Sequence, residues 1–335
     1  MTGMIDVYTI MQNGLNSGNI LISLVFLVIY VIFVLLIMSV FAYLFGWIER
    51  KLIAKAHYRH GPTYLGKFGI LQNLADLIKL IAKEKVAPKT AYPVLFSLAP
   101  QLLVALTVFL VLLLPYSPSL QAANIGPGLL AVFVLLGFTP IILFIAAFDS
   151  GNKYADISAQ RSVLLLLSYE IPMMLVIAST VLITNSYNIQ ALISAQERGW
   201  FLFLMPVGFV VFFIALLAEL ERPPFDLNEA DSELIAGWLT DISAPYYALY
   251  LFLDYSKVFL GGLLLSILFL GGWLGPSFLP PIAWLIGKAF IVALAVIMVR
   301  VTMFRMRIDR ILRFGWIWLI PLSLINLVIT YILFV

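Results

Sequence analysis

The chain of 335 residues contains no cysteine, and its only histidines are His57 and His60. The first absence excludes disulfides, thiolate metal sites and cysteine-held iron–sulfur clusters. The second excludes a bis-histidine haem bridging two membrane spans. His57 and His60 stand three apart with no third ligand in sight, so no metal site is expected. Charge is also scarce. Charged residues make up 11 % of the chain and apolar residues 63 %, against about 25 % and about 45–50 % in soluble domains. A water-soluble globule is therefore excluded, and lipid is the expected solvent. Redox chemistry, if the protein takes part in any, must use electrons carried by something else.

What is present in abundance is long apolar sequence. About 20 apolar residues cross about 30 Å of hydrocarbon. Eight runs qualify, near residues 20–47, 93–114, 127–148, 162–184, 200–218, 246–272, 282–304 and 315–335. They are continuous, without polar alternation, so helices are expected and not a β-barrel. Pro and Gly mark the links at 115–128 and 271–281. No internal repeat or low-complexity linker divides the chain. The expectation is one all-α, polytopic membrane domain over residues 1–335, with about eight transmembrane helices. The first run, Ile20 to Trp47, holds 28 uncharged residues. As a helix it measures about 42 Å at 1.5 Å per residue, which demands strong tilt or protrusion. It is too long for a signal-peptide core and is read as a span.

Charge distribution gives the orientation. The loops after spans one, three, five and seven carry nine, two, one and four Lys/Arg. The remaining loops and residues 1–19 carry only Arg198. By the positive-inside rule, odd-numbered loops face the cytoplasm and both termini face the opposite side.

Three cytoplasmic features stand out. In the first loop, Ile70, Leu71, Leu74, Leu77, Ile78 and Ile81 share one helical face, opposite Gln72, Asn73, Asp76, Lys79 and Lys83. That pattern predicts an amphipathic helix at the interface, serving as an anchor, a docking surface or the roof of a cavity for an amphipathic ligand. The fifth loop, residues 218–245, holds seven of the seventeen acids: Glu219, Glu221, Asp226, Glu229, Asp231, Glu233 and Asp241. Asp226 and Glu229 have capping-box spacing, which predicts a short helix starting there with Asp226, Glu229 and Glu233 on one face. Carboxylates held close cannot all ionise, so such a cluster can take up and release protons. The seventh loop is basic, and Arg300 lies nearest the membrane.

Inside the spans, Glu170 sits about two turns into the fourth. A carboxylate at that depth costs at least about 2.5–3.5 kcal/mol unless solvated, paired or protonated. A proton or ion relay is the default reading. Asp254 and Lys257, one turn apart in the sixth span, can extend it or pair with each other, and snorkelling from the span end is the ordinary alternative, favoured for Lys257.

Four segments, in order, resemble the quinone-site membrane subunit of respiratory complex I (the H-type subunit of NADH:quinone oxidoreductase). The first contains Glu49–Lys51, Gly61–Pro62, Gly66, Gly69, Leu71–Gln72, Ala75–Asp76 and Lys83–Glu84. The second contains Lys153–Ala155, Arg161 and Ser168–Glu170. The third runs from Ala218 to Gly237 and includes Pro224–Leu227 and Ser232–Leu234. The fourth, looser, contains Arg300, Thr302, Arg305, Arg307 and Asp309. The resemblance implies a subunit of a redox-driven proton pump of the translocase class, not catalytic alone. It implies that Glu170, Glu219, Glu229, Asp231, Glu233, Asp241 and Asp254 form a proton path. It implies that Glu49, Arg50, Asp76, Arg300 and Arg305 line a quinone chamber. No cofactor is covalently bound on this reading. Quinone or an analogue is the substrate, and iron–sulfur clusters belong to partner subunits of a peripheral arm. The other partners are membrane-arm subunits and lipid, not nucleic acid, in a prokaryotic plasma membrane.

Departures from the family pattern include Asp at 231, 241 and 254 where Glu is usual, and Phe304 where Pro is common. They point to a divergent branch, archaeal, extremophile or deazaflavin-linked. A membrane-bound hydrogenase subunit shares the fold. A stand-alone proton- or sodium-coupled transporter using Glu170 and Asp254 is the rival of a different class, although no duplicated halves are visible. A purely structural anchor leaves Glu170 unexplained.

Overall fold

The computed structural model describes residues 20–89, 91–122, 124–228 and 231–334. Thirteen α-helices are described: α1 (Ile20–Ala56), α2 (Gln72–Ala82), α3 (Pro93–Leu113), α4 (Gly128–Asp149), α5 (Lys153–Thr184), α6 (Ile189–Ala195), α7 (Phe201–Leu204), α8 (Pro206–Glu219), α9 (Asp231–Leu234), α10 (Ala244–Phe269), α11 (Pro281–Thr302), α12 (Ile308–Phe314) and α13 (Ile320–Phe334). A π-helical stretch at Gly315–Leu319 joins α12 to α13. Among the described residues, seven helical stretches are long and apolar enough to cross a membrane. The chain is an integral membrane protein.

Seven of the eight apolar runs form these stretches. The fifth differs, because Met205 (φ −133°, ψ 63°) separates α7 from α8. Pro206 is the cause: its ring disfavours helical geometry in the residue before it. The 14-residue α8 is about 21 Å long, short of the ~30 Å of hydrocarbon. Helix α1 runs on for nine residues past Trp47, through Glu49 and Arg50, to a length of 37. The over-long first run therefore protrudes as a helix. Residues 1–19, on which the expected placement of the N-terminus rests, lie outside the described set.

Helix α10 is the axis of the bundle. Within its most apolar window 78 % of residues are buried, against 17 % in α1. It packs on α1, α2, α3 and α11. Gly262 lets it approach α11 closely, since a Cβ there would stand 2.5 Å from the Ala289 carbonyl oxygen. Small residues at such contacts are the usual means of helix association in lipid. A buried polar contact ties α8, α13 and α5: Asn326 accepts from Gly208 N at 3.0 Å and donates to Ser179 Oγ at 3.1 Å.

Helix α2 is the amphipathic helix expected in the first loop, starting at Gln72. It lies against α1 and α10. Asn73 donates to the Tyr43 carbonyl at 3.0 Å, Trp47 donates to the Phe68 carbonyl at 3.1 Å, and the Tyr43 hydroxyl donates to the Ile70 carbonyl. The loop before it turns at Gly69 (φ +70°), where a Cβ would lie 2.1 Å from the Pro62 carbonyl oxygen. Only glycine fits that position.

Candidate functional site

Helices α1, α2 and α10 line an open cavity of about 440 Å³. That is within the range of about 300–1,000 Å³ typical of small-molecule sites. Its walls are mainly aliphatic, from Val40 and Leu44 on α1, Leu74, Leu77 and Leu80 on α2, and Leu251 and Phe252 on α10. Its polar groups come from Ser39, Tyr43, Arg50, Asn73, Asp76 and Tyr255. Arg50 and Asp76 pair across it at 2.5 Å, and Gln72 donates to the other Asp76 oxygen at 3.2 Å. Leu74, Leu77 and Leu80 of α2 therefore roof a chamber, although Leu74 and Leu77, like Ile78 and Ile81, remain exposed. Such a space suits a ligand with a polar head and an apolar body.

Behind Tyr255 lies a row of buried charge. Arg222 donates to Glu49 at 2.9 Å and to Asp254 at 2.6 Å, and Arg300 reaches the second Glu49 oxygen at 2.6 Å. The side chains of Arg222 and Glu49 are only 2 % and 4 % exposed. The Arg222 guanidinium stands 5.4 Å from the Tyr255 ring centroid, within cation–π range. Tyr255 thus separates the cavity from the ion row and touches both. Four charges alternating in sign offset the cost of burying each one.

The row continues inward. Lys257 is 4.0 Å from Glu221 and within electrostatic reach of Glu219 and Asp254. Glu219 and Glu221 line one small cavity with Tyr169, and Glu219 and Glu170 line the next. Each has room for about one water. Carboxylates spaced by single-water cavities can pass protons between them.

Several expected site residues fall elsewhere. Arg50 and Asp76 line the large cavity, but Glu49, Arg300 and Arg305 are not among its lining residues. Glu49 and Arg300 belong to the ion row, and Arg305 pairs with Asp226 at 3.1 Å. Asp226 is therefore engaged by the seventh loop and lies outside the four-residue α9, which starts at Asp231. The expected helix does not start at Asp226, since residues 226–228 are not helical. The cause is tertiary: Phe225 N donates to the Arg222 carbonyl at 2.9 Å, closing a turn at residues 222–225, and Met306 N donates to the Pro224 carbonyl at 3.1 Å, which holds that turn against the seventh loop. Glu233 pairs with Arg161 at 2.6 Å at a half-exposed position, and Asp241 accepts from Asn152 at 2.9 Å. Both thus tie the fifth loop to the start of α5, away from Glu170. Glu229 lies outside the described residues, as does the side chain of Asp231. Asp254 and Lys257 do not pair with each other; Arg222 takes Asp254 and Glu221 takes Lys257.

Arg222, the hub of the ion row, lies in the third resembling segment but is not among the site residues expected from the sequence. Its signal is nonetheless there: it is the only basic residue among the seven acids of the fifth loop. Tyr255 and Asn73 carry no comparable signal and become polar cavity walls only through packing.

The sequence matches the family model described as NADH dehydrogenase over residues 28–331. It is 39 % identical over 294 residues to the H-type subunit of NADH-quinone oxidoreductase from Dehalococcoides mccartyi, covering 88 % of this chain and 82 % of that protein. It is 40 % identical over 286 residues to the same subunit from a Geobacillus species, covering 84 % and 86 %. With its counterpart from Carboxydothermus hydrogenoformans it shares 37 % identity over 303 residues, covering 88 % and 87 %. A match of that length takes in the cavity, the ion row and Glu170 together, and the chain belongs to the NADH dehydrogenase family, among the H-type subunits of NADH-quinone oxidoreductase.

Proposed function

We propose that this chain is the quinone-site membrane subunit of a complex I-like, redox-driven proton pump. The observation that carries the reading is the cavity of about 440 Å³ whose Tyr255 wall rests on the buried Arg300–Glu49–Arg222–Asp254 row. A quinone head accepts hydrogen bonds, and Arg50 and Asn73 are donors at the polar end. An isoprenoid or similar tail fits the aliphatic walls. Reduction of a quinone to the quinol takes up two electrons and two protons. The electrons come from iron–sulfur clusters of peripheral partner subunits, because this chain has no cysteine to hold one. The change of charge at the cavity acts through Tyr255 and Arg222 on Asp254 and Lys257, and from there on Glu221, Glu219 and Glu170. Glu233 and Asp241 then belong to the mouth of the proton path and not to its interior.

In this reading the basic odd-numbered loops face the cytoplasm of a prokaryotic cell and seat the peripheral arm. The test uses the assembled complex in membrane vesicles. Leu77→Trp fills the cavity from the exposed α2, and Arg50→Gln removes a head-group donor. Both should raise the KM for a short-chain quinone while donor oxidation by a soluble artificial acceptor stays normal. An unchanged quinone KM in both, with assembly intact, refutes the chamber. The transporter reading predicts instead that the chain purifies and works without iron–sulfur protein.

A further inference from the structure

We propose that a notch in α4, from Leu136 to Pro140, seats one water between Glu219 and Glu170, and that Gly137 is the positioning residue that keeps the notch open. The inference rests on the proton-path reading and adds a non-titrating residue to it.

The notch is built from three observations. A Cβ on Gly137 would stand 3.0 Å from Glu170 Oε1, and no atom outside that carboxyl group comes within 4 Å of it. A glycine that serves only helix packing faces backbone, as Gly262 faces the Ala289 carbonyl at 2.5 Å. Gly137 faces the movable end of an acid. Second, Gly137, Glu170 and Glu219 line one cavity of about 10 Å³. This is close to the ~10–15 Å³ that admits a single water. A neighbouring cavity of about 20 Å³ shares Glu219 and Leu166 with it and continues to Glu221 and Thr139. Third, Pro140 lies inside α4 and has no N–H, so the Leu136 carbonyl loses its helical donor. Leu136 lines the same cavity. A buried carbonyl needs a partner, and a buried water needs two to four. The two carboxyl groups and this carbonyl supply them.

An added methyl at Gly137 would push the Glu170 carboxyl off its seat and take the space of the water. The proton would then have to pass from Glu219 to Glu170 without an intermediate. The 3.0 Å approach makes the carboxyl give by a few tenths of an ångström, less than the ~1 Å misplacement that costs about 10²-fold in rate.

The test is a set of variants in the assembled complex in membranes, each scored for assembly, for donor oxidation by a soluble acceptor, and for quinone reduction with proton uptake. Gly137→Ala should lower quinone-linked turnover severalfold, with normal oxidation by the soluble acceptor. Two second-site changes return the lost space: Glu170→Asp shortens the acid, and Leu166→Ala widens the shared wall. Recovery of Gly137→Ala by either one supports the notch. Wild-type turnover in Gly137→Ala, failure of both second changes to recover it, or loss of assembly overturns the proposal, since a methyl facing only a movable carboxyl has no packing reason to unfold the protein. Glu170→Gln separates the two levels. If it is impaired while Gly137→Ala is normal, only the notch fails; if Glu170→Gln is itself normal, the proton path fails with it.

Discussion

Replacing Arg222 with Gln removes the positive charge that pairs with both Glu49 and Asp254. The side chain is 2 % exposed, so water does not take its place. Breaking a buried pair by deleting one partner costs about 3–5 kcal/mol. The two acids are not equally harmed. Glu49 keeps Arg300 at 2.6 Å, whereas Asp254, 18 % exposed, loses its direct partner. The expected loss is therefore at the lower end, about 3 kcal/mol, or about 10²-fold in the ratio of folded to unfolded chain. Arg222→Gln with Asp254→Asn restores the charge balance and should recover more than half of it. The assay is pulse proteolysis of the detergent-solubilised complex over a denaturant series, followed by immunodetection of this chain. The same variants should raise the quinone KM, because Tyr255 loses the cation beneath its ring. An Arg222→Gln protein as stable as the parent, or a double variant no more stable than the single, would refute the balanced-row argument.

Two further outcomes follow from other parts of the molecule. Lys288 donates to the carbonyls of Leu270, Gly272 and Leu274 at 2.7, 3.0 and 2.6 Å, capping the end of α10; Lys288→Met should cost at least the ~1.5–3 kcal/mol of one charged hydrogen bond in the same proteolysis assay. It should leave the quinone KM unchanged, since Tyr255 is 15 residues from Leu270 along the chain, about 22 Å along a helix. Gly69→Ala meets the Pro62 carbonyl and an unfavourable φ together; it should speed proteolytic cleavage between residues 57 and 71 severalfold and raise the quinone KM, because α2 loses its anchored start.

The fold was largely legible because its solvent is lipid. Runs of 20 or more apolar residues have no other stable home, and their helices satisfy their own backbone. Amphipathic periodicity located α2 to within a turn. The broken fifth segment was not legible, although Pro206 is visible, since proline inside a span is tolerated as often as it breaks one: Pro100, Pro140 and Pro172 all lie within helices. The short α9 and the placement of Asp226 also escaped, because a capping pattern is a local preference of about 1 kcal/mol and a contact with Arg305 overrides it.

The sequence by itself determined the solvent, the number and order of the apolar segments, and the scarcity of charge that makes each buried acid informative. Only the tertiary structure decided which charges meet. It took Arg222 from a loop and made it the hub between Glu49 and Asp254, 205 positions apart in the chain. It sent Glu233 and Asp241 to the edge, and it set Gly137 opposite Glu170. Apolar patterning acts through neighbours along one helix, so it is written in the sequence; ion pairing in a bundle acts between helices, and depends on rotations and depths that composition does not encode.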